Sequence, residues 1–271
     1  MLAYIYIYTI IKTLRIEVDK KKGDNMIELK NVTKMYGNKE AVHGLNLKIN
    51  PGEIVGLIGP NGAGKSTTIN MITGITEITK GDIYVCGESI KKDEIKAKKK
   101  IGLVSDTPDS FQYFTPIQYY DFIMNIYEVD KEDATKVIDD LTKKFELEQY
   151  MKKNISELSH GTRQKVFVIG SLISNPEVWI LDEPMTGLDP ASAHLLKQIM
   201  KDEAKKGKTV LFSTHVLEVA EKLCDSIVII SNGKLLYNGT YEELIEKHKN
   251  DNIENQSLED LFLEITKKEE E

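Results

Sequence analysis

The chain has 271 residues, a formal net charge of −7, and 41% hydrophobic against 29% charged residues. This composition predicts a folded globular protein with ample length for a buried core, and its acidic balance argues against coating nucleic acid through bulk charge. Only two cysteines occur, which argues against a disulfide scaffold and against a cysteine-rich zinc site, and fits a reducing compartment.

The first 25 residues form an N-terminal extension ahead of the first patterned strand. Residues 1–11 alternate Tyr with Ile in the manner of a strand, and they lack the basic start of a secretion signal. No stretch of the chain reaches the roughly 18 apolar residues that a membrane-spanning helix needs. Two interpretations stay open: an accessory strand or disordered tail, and an untranslated segment ahead of a start at Met26.

Short apolar runs alternate with helical patterns from residue 27 onward. Residues 27–32 and 41–49 predict antiparallel strands around a turn at Gly37. Residues 115–153 have helical spacing and no strand candidate, which predicts a helical subdomain inserted into an α/β body. The remaining runs predict a mainly parallel, buried sheet, with strands at 55–58, 101–104, 178–181, 210–212 and 227–230 and helices at 66–71, 191–205 and 216–223.

A glycine-rich segment follows the predicted strand at 55–58. Its sequence, GPNGAGKS, matches the phosphate-binding pattern G-x-x-x-x-G-K-[ST] between a strand and a helix. Glycines let backbone N–H groups approach phosphate, and the helix N-terminus adds a favourable dipole. We expect Lys65 to span the β- and γ-phosphates, Ser66 to ligate Mg²⁺ and Thr67 to support the α-phosphate side. The predicted nucleotide-binding residues here are Gly59, Pro60, Asn61, Gly62, Ala63, Gly64, Lys65, Ser66, Thr67 and Thr68.

The apolar run at residues 178–181 ends in two carboxylates, Asp182 and Glu183. Downstream of a phosphate loop, their positions assign their roles. Asp182 is predicted to hold Mg²⁺, usually through water, and Glu183 to polarise the attacking water as a base. The pair therefore predicts nucleotide hydrolysis, with catalytic roles for Lys65 and Glu183.

Taken together, these motifs resemble those of the ABC ATPases. LSHGTRQK at 158–165 resembles the family's signature motif, GLDP at 187–190 its D-loop, FSTH at 212–215 its switch-histidine segment, and Tyr36 its adenine-stacking aromatic. The resemblance covers residues 27–239. It implies a P-loop NTPase with a RecA-like core, an antiparallel β subdomain and an inserted helical subdomain at about residues 107–160. The cassette then occupies residues 26–240, followed by a helical tail at 241–271.

The resemblance also implies ATP and Mg²⁺ as ligands and assigns further site residues. His215 is implied as a catalytic group that hydrogen-bonds the γ-phosphate and orients Glu183, and Ser159 and Gly161 as groups that grip the γ-phosphate. Tyr36 either stacks on adenine or packs on the β subdomain, since both suit an amphipathic ring. The remaining histidines have no ligand spacing and are interpreted as structural or solvated: His43, His194 and His248.

Two positions depart from the family's pattern. His160 and Thr162 replace the first glycine and the glutamine of the usual LSGGQ signature. Asp106 stands where the family usually has the glutamine of the Q-loop, and two roles stay open for it: a catalytic group that binds the metal or its water, and a cap of the turn before Pro108. An acidic residue at this position is familiar in members that resemble drug and bacitracin exporters, which favours an ABC-2 type exporter.

The function implied is that of the ATP-hydrolysing subunit of an ABC transporter. Its implied partners are a separate transmembrane permease and a second cassette, either a copy or a related chain, at the cytoplasmic face of the membrane. Because the signature cannot reach the phosphate loop of its own chain in this family, Ser159 and Gly161 would complete the site at Lys65 of the other cassette. The alternative is a soluble ABC ATPase acting on ribosomes or DNA. A single cassette and a short helical segment argue against it, and we expect no direct nucleic-acid contact.

Overall fold

The structure is a computed structural model that describes residues 25–105, 111–248 and 257–270. The expectations for the extension ahead of residue 25 and for Asp106 lie outside these ranges. None of the helices in the described part of the chain combines the length and the apolar character needed to cross a bilayer.

A four-stranded antiparallel sheet forms the first layer. Strand β1 (Ile27–Tyr36) pairs with β2 (Lys39–Ile49) around a turn in which Gly37 has a φ of 58°, a left-handed conformation that suits glycine. Two shorter strands, β4 (Lys80–Val85) and β5 (Glu88–Ser89), extend this sheet in the order β2-β1-β4-β5. The predicted strands at 27–32 and 41–49 are confirmed, and the first of them runs four residues further.

A six-stranded sheet forms the second layer, in the order β10-β9-β3-β8-β7-β6. Four of its five strand pairings are parallel, and the edge strand β10 pairs antiparallel with β9. Because both faces are covered, β3, β7 and β8 are buried at every residue. The strands are β3 (Ile54–Ile58), β6 (Ile101–Val104), β7 (Val178–Leu181), β8 (Thr209–Thr214), β9 (Ser226–Ser231) and β10 (Lys234–Gly239).

Helices cover the second sheet and build the inserted layer. Local sequence signals mark where helices start. At the start of α3, Thr115 and Gln118 form a capping box, and Pro116 lies in the first turn. The helices are α1 (Lys65–Ile72), α2 (Glu94–Lys98), α3 (Pro116–Tyr127), α4 (Lys131–Lys144), α5 (His160–Ile173), α6 (Pro190–Lys205), α7 (Leu217–Leu223), α8 (Tyr241–His248) and α9 (Leu258–Glu270).

The inserted helices α3 and α4 pack on α5. Tyr119 and Tyr120 of α3 are buried in this contact, and the ring of Tyr119 meets Phe167 of α5 edge to face, with 5.3 Å between centroids. Burial raises the pKa of Tyr120 well above its usual value, so the side chain behaves as a neutral core residue. The architecture is therefore the α/β body with antiparallel sheet and inserted helical layer that the sequence predicted.

Three neighbouring parallel strands end at one edge of the second sheet. In the ladder, Ile58 of β3 pairs with Thr214 of β8, and Leu181 of β7 pairs with Phe212. The glycine-rich loop, the two carboxylates and the switch histidine, His215, follow these strand ends. Motifs separated by more than a hundred residues in the chain thus meet at the carboxyl edge, where open α/β sheets bind ligands.

Candidate functional site

A cavity of about 670 Å³ lies between the antiparallel sheet and the carboxyl edge of the parallel strands. Its wall combines most of the glycine-rich loop with residues of β1, β2 and the turn before β10. Such a concave site with several convergent polar groups is the expected place for a small-molecule ligand. The lining residues are Tyr36, Lys39, Glu40, Ala41, His43, Asn61, Gly62, Gly64, Lys65, Ser66, Thr67, Glu183 and Asn232.

The glycine-rich loop leads from β3 into α1. Gly59 sits so close to β9 that a Cβ atom there would lie 2.2 Å from the carbonyl oxygen of Ile230. Gly64, the residue before α1, has a φ of 105°, and the N–H and hydroxyl of Thr68 both donate to its carbonyl at 2.8 Å. Glycine is required at residue 59 by the close approach of β9 and favoured at residue 64 by the left-handed backbone. These two positions let the segment fold into a tight loop ahead of a helix.

Lys65 is 7% exposed and reaches back over the loop. Its Nζ donates to the carbonyl oxygens of Gly59 at 2.7 Å and Pro60 at 3.3 Å, and lies 3.9 Å from Oε1 of Glu183. Burial lowers the pKa of the ammonium, and the charges of Glu183 and Asp182 oppose that shift. A buried ammonium held by carbonyls in this way is ready to interact with an anionic ligand in the cavity.

Asp182 and Glu183 are connected through a residue that the sequence analysis did not single out, Ser213. Its hydroxyl donates to Oδ1 of the buried Asp182 at 2.5 Å and accepts from the backbone N–H of Glu183 at 2.8 Å. Ser213 is fully buried in β8, next to β7. The only sequence signal for this role is a hydroxyl residue two positions before the switch histidine.

Glu183 has a φ of 47°, in the left-handed region that a glutamate seldom occupies. This backbone strain, of order 1–3 kcal/mol at such positions, is typical of functional sites. The carboxylate lies between two partners: Oε1 is 3.9 Å from Nζ of Lys65, and Oε2 is 2.9 Å from Nδ1 of His215. The structure thus brings together the three residues predicted for catalysis that it describes.

The other end of the cavity is formed by Tyr36 and by residues of β2. Tyr36 is 50% exposed, and Nζ of Lys34 lies 4.9 Å from the ring centroid. His43, which the sequence analysis interpreted as structural or solvated, lies on the cavity wall with its side chain one-third exposed. That placement depends on the packing of β2 against the glycine-rich loop, which no local sequence signal reports.

The signature segment lies away from this cavity. Ser159 caps α5, since its Oγ accepts from the N–H of Thr162 at 3.3 Å. Gly161 packs on the D-loop so closely that a Cβ atom would lie 2.3 Å from the carbonyl oxygen of Gly187. Neither Ser159 nor Gly161 is among the described residues that line the cavity. One chain therefore presents the phosphate loop and the signature at separate places.

Asp189 of the D-loop caps α6. Its carboxylate accepts from the N–H of Ser192 at 2.9 Å and from the hydroxyl of Ser192 at 2.6 Å, and pairs with Nζ of Lys165 on α5 at 3.0 Å. These hydrogen bonds and the lysine hold the pKa of Asp189 well below its usual range. The signature helix and the D-loop are thereby joined by backbone packing and by an ion pair.

The oxygen donors of the site fit Mg²⁺ bound together with phosphate. Mg²⁺ keeps several waters and usually takes one or two protein oxygens beside the phosphates of its ligand. Asp182 supplies a buried carboxylate oriented by Ser213, and the hydroxyl residue Ser66 lines the cavity. No group of three or more His, Cys, Asp or Glu residues that could form an all-protein metal cage occurs within the described ranges.

A glycine-rich loop between a buried strand and a helix, a buried lysine over that loop, and a carboxylate pair at a neighbouring strand end define a P-loop nucleoside-triphosphatase. Comparison with known proteins identifies the family. The sequence model of the ABC transporter family matches residues 42–186. The chain belongs to this family, as the ATP-binding and ATP-hydrolysing subunit that energises an ABC transporter.

Two relatives are similar in sequence to this chain over most of its length. It is 34% identical over 243 residues to the ABC-type transporter ATP-binding protein EcsA of Bacillus subtilis (strain 168), covering 90% of this chain and 97% of that one. It is 34% identical over 221 residues to the Nod factor export ATP-binding protein I of Cupriavidus metallidurans (strain CH34), covering 82% and 73%.

Two solved structures bear on the fold. The structure of an ATP-binding subunit of an ABC transporter matches with a TM-score of 0.84 at 30% identity, over 89% of this chain and 99% of that one. A dimeric, post-hydrolysis structure of the ATP-binding cassette MJ0796 bound to ADP and Pi matches with a TM-score of 0.68 at 28% identity, over 79% and 98%. The predicted family and fold class are confirmed, and these proteins give no support to the alternative of an ABC ATPase acting on ribosomes or DNA.

Proposed function

We propose that the chain binds ATP with Mg²⁺ in the cavity between Tyr36 and Lys65, and that ATP-driven pairing of two cassettes powers an export permease. The observation that carries the proposal is the placement of Glu183 between Lys65 and His215, while Ser159 lies outside the cavity. The first arrangement suits water attack on a terminal phosphate, and the second leaves the site open for a second chain.

The residues along the cavity take different parts of the nucleotide. Tyr36 stacks on the adenine, because a half-exposed ring at the cavity's end offers a face to a base. The loop from Gly59 to Thr68 receives the phosphates on backbone N–H groups at the start of α1. Lys65 neutralises charge on the β- and γ-phosphates, which is why its ammonium is held at the site despite the cost of burial.

Hydrolysis uses the carboxylate end of the site. Glu183 accepts a proton from the attacking water, and His215, 2.9 Å away, fixes the orientation of that carboxylate and reaches the γ-phosphate. Mg²⁺, held by Ser66 and Asp182, would neutralise charge that develops on the phosphates. The Ser213 hydroxyl hydrogen-bonds both the Asp182 carboxylate and the backbone N–H of Glu183, and so holds the two groups in place relative to each other. The role of Asp106 stays a choice between metal contact and turn capping.

The second cassette supplies the signature. Ser159 and Gly161 of one chain would close over the γ-phosphate held by Lys65 of the other, so that two cassettes enclose two ATP molecules. The dimeric cassette MJ0796, bound to ADP and Pi, supports the pairing of two cassettes by similarity. Binding energy from ATP then stabilises the closed pair, and hydrolysis releases it. A copy of this chain and a related chain are both compatible with this scheme.

The permease is a separate membrane protein, and the cassette works at the cytoplasmic face of the membrane. The relative named as a Nod factor export ATP-binding protein supports the direction of transport. The structure of cbiO1, described as part of the transporter complex cbiONQ, supports assembly with separate chains.

Size-exclusion chromatography of Glu183→Gln tests the proposal. The variant keeps the side-chain shape but removes the base, so we expect a dimer with ATP, a monomer with ADP, and a monomer with ATP when Ser159→Arg is added. Glu148→Gln, at an exposed glutamate outside both the cavity and the signature segment, is the matched control and should hydrolyse ATP at the parental rate. A Glu183→Gln protein that stays monomeric with ATP, alone and beside its permease, would contradict ATP-driven pairing of identical cassettes.

A further inference from the structure

Several polar side chains on the cavity wall have no part in the proposed reaction, and two of them lie next to the contact between β2 and the turn before β10. They are His43 on β2 and Asn232 in the turn between β9 and β10. The turn contacts both β2 and the phosphate loop: the N–H of Gly233 donates to the carbonyl of Ala63 at 2.9 Å, and the carbonyl of Gly233 accepts from the N–H of His43 at 2.8 Å. The backbone of this turn and of β2, the strand that follows Tyr36, therefore places His43 and Asn232 beside the phosphate loop.

The backbone around these side chains is fixed. Gly233 has a φ of 75°, and a Cβ atom there would lie 2.4 Å from the carbonyl oxygen of Ala41 and 2.6 Å from Cδ2 of His43. Asn232 itself has a φ of 48°, a left-handed conformation that asparagine tolerates better than most residues. A turn packed this closely on β2 fixes the backbone from which both side chains reach the cavity, which lowers the entropic cost of ordering them around a ligand.

The hydrogen-bonding capacity of the pair suits hydroxyl groups. Nδ1 of His43 lies 3.4 Å from Oε2 of Glu40, and the other ring nitrogen, Nε2, can donate or accept a hydrogen bond according to the tautomer. The Asn232 amide contributes both a donor and an acceptor. A ribose hydroxyl both donates and accepts, so it can pair with either side chain. Both side chains are accessible from the cavity, with His43 one-third exposed.

We propose that His43 and Asn232 hold the ribose hydroxyls of the nucleotide and make the cassette selective for ribonucleotides over deoxyribonucleotides. The inference rests on the proposed position of ATP between Tyr36 and Lys65. In such a ligand the sugar joins the base to the α-phosphate, so it passes the wall between Tyr36 and the phosphate loop. His43 on β2 and Asn232 in the turn beside the phosphate loop line this wall, next to Lys39 and Glu40.

The test is equilibrium binding of ATP, 2′-deoxyATP and 3′-deoxyATP to the full chain. The variants are His43→Ala and Asn232→Gly; glycine is chosen because alanine would strain the left-handed backbone at 232. Asn175→Gly is the matched control, since Asn175 also has a left-handed φ, 50°, but lies outside the cavity. Tyr36→Ala is a second control, because it should weaken all three nucleotides by one common factor.

We expect the parent and Asn175→Gly to bind ATP about two- to tenfold more tightly than at least one of the deoxynucleotides, the range for the loss of one hydrogen bond. His43→Ala and Asn232→Gly should bring that ratio towards one while the affinity for the disfavoured deoxynucleotide stays close to the parental value. Equal parental affinities, or a preference that both variants keep, would overturn the inference and leave the proposed function standing. A parent that binds none of the three nucleotides would overturn both.

Discussion

Replacing Ser213 by alanine removes a single hydroxyl that serves both carboxylate residues of the site. In the parent, this hydroxyl donates to Asp182 at 2.5 Å and accepts from the N–H of Glu183 at 2.8 Å, and it is fully buried. The variant loses one hydrogen bond to a charged group and leaves a backbone N–H without its acceptor. At about 1.5–3 kcal/mol for the first and about 1 kcal/mol for the second, we expect the free energy of unfolding to fall by about 2–4 kcal/mol.

Ser213→Ala should also impair catalysis. Ser213 orients the residue proposed to hold Mg²⁺, and losing such an outer partner typically costs about 10–100-fold in metal affinity or activity. The assay is steady-state ATP hydrolysis at a series of Mg²⁺ concentrations, with urea unfolding on the same preparations. We expect a 10–100-fold lower turnover rate and a shift to higher Mg²⁺ requirement. The protein should remain folded, because domains of this kind are stable by about 5–15 kcal/mol.

Ser171→Ala separates the two effects. Ser171 is also a buried serine with two hydrogen bonds, donating to the carbonyl of Val168 at 2.8 Å and accepting from Nε1 of Trp179 at 2.9 Å, but it lies outside the cavity. The Ser171→Ala variant should lose a comparable free energy of unfolding, but it should hydrolyse ATP at the parental rate and with the parental Mg²⁺ dependence. If Ser213→Ala and Ser171→Ala behave alike in the ATPase assay, Ser213 is only a packing residue and the reasoning fails.

Three further predictions address other parts of the site. Lys65→Ala should lower ATP turnover by about 100-fold or more, because the ammonium stabilises charge on the transferring phosphoryl group, and normal hydrolysis would contradict the phosphate-loop assignment. Tyr36→Ala should raise the KM for ATP by about tenfold at nearly constant kcat, because stacking contributes equally to ground and transition states; an unchanged KM would favour packing alone. Asp189→Ala should lower the free energy of unfolding by about 1 kcal/mol at neutral pH, through loss of a helix cap. Since the pKa of Asp189 is depressed in the folded state, this contribution is full above about pH 4 and declines as the pH falls further, so equal differences at pH 7 and about pH 2.5 would contradict it.

The sequence by itself determined the fold class and most of the chemistry. Strands buried on both faces read as unbroken apolar runs, which is why β3, β7 and β8 could be predicted from composition alone. The phosphate loop could also be predicted, because its glycines, lysine and hydroxyl residues are consecutive. The strands that sequence reasoning missed, β4, β5 and β10, lie at or near sheet edges. The burial of β4 and β10 is interrupted by exposed polar residues, and β5 has only two residues, so they have no continuous apolar signal.

Only the tertiary structure decided how separate segments complete one another. Ser213 meets Asp182 because β8 lies beside β7, and His43 meets the turn at Gly233 because β2 packs on the phosphate loop. Gly161 is required by the approach of the D-loop carbonyl at residue 187, and not by any property of its own helix. Such contacts join residues between about 25 and 190 positions apart, and strand order and crossover connections set them. Local sequence encodes backbone preference and burial, but contacts between distant segments exist only once the two sheets and the inserted helices have packed.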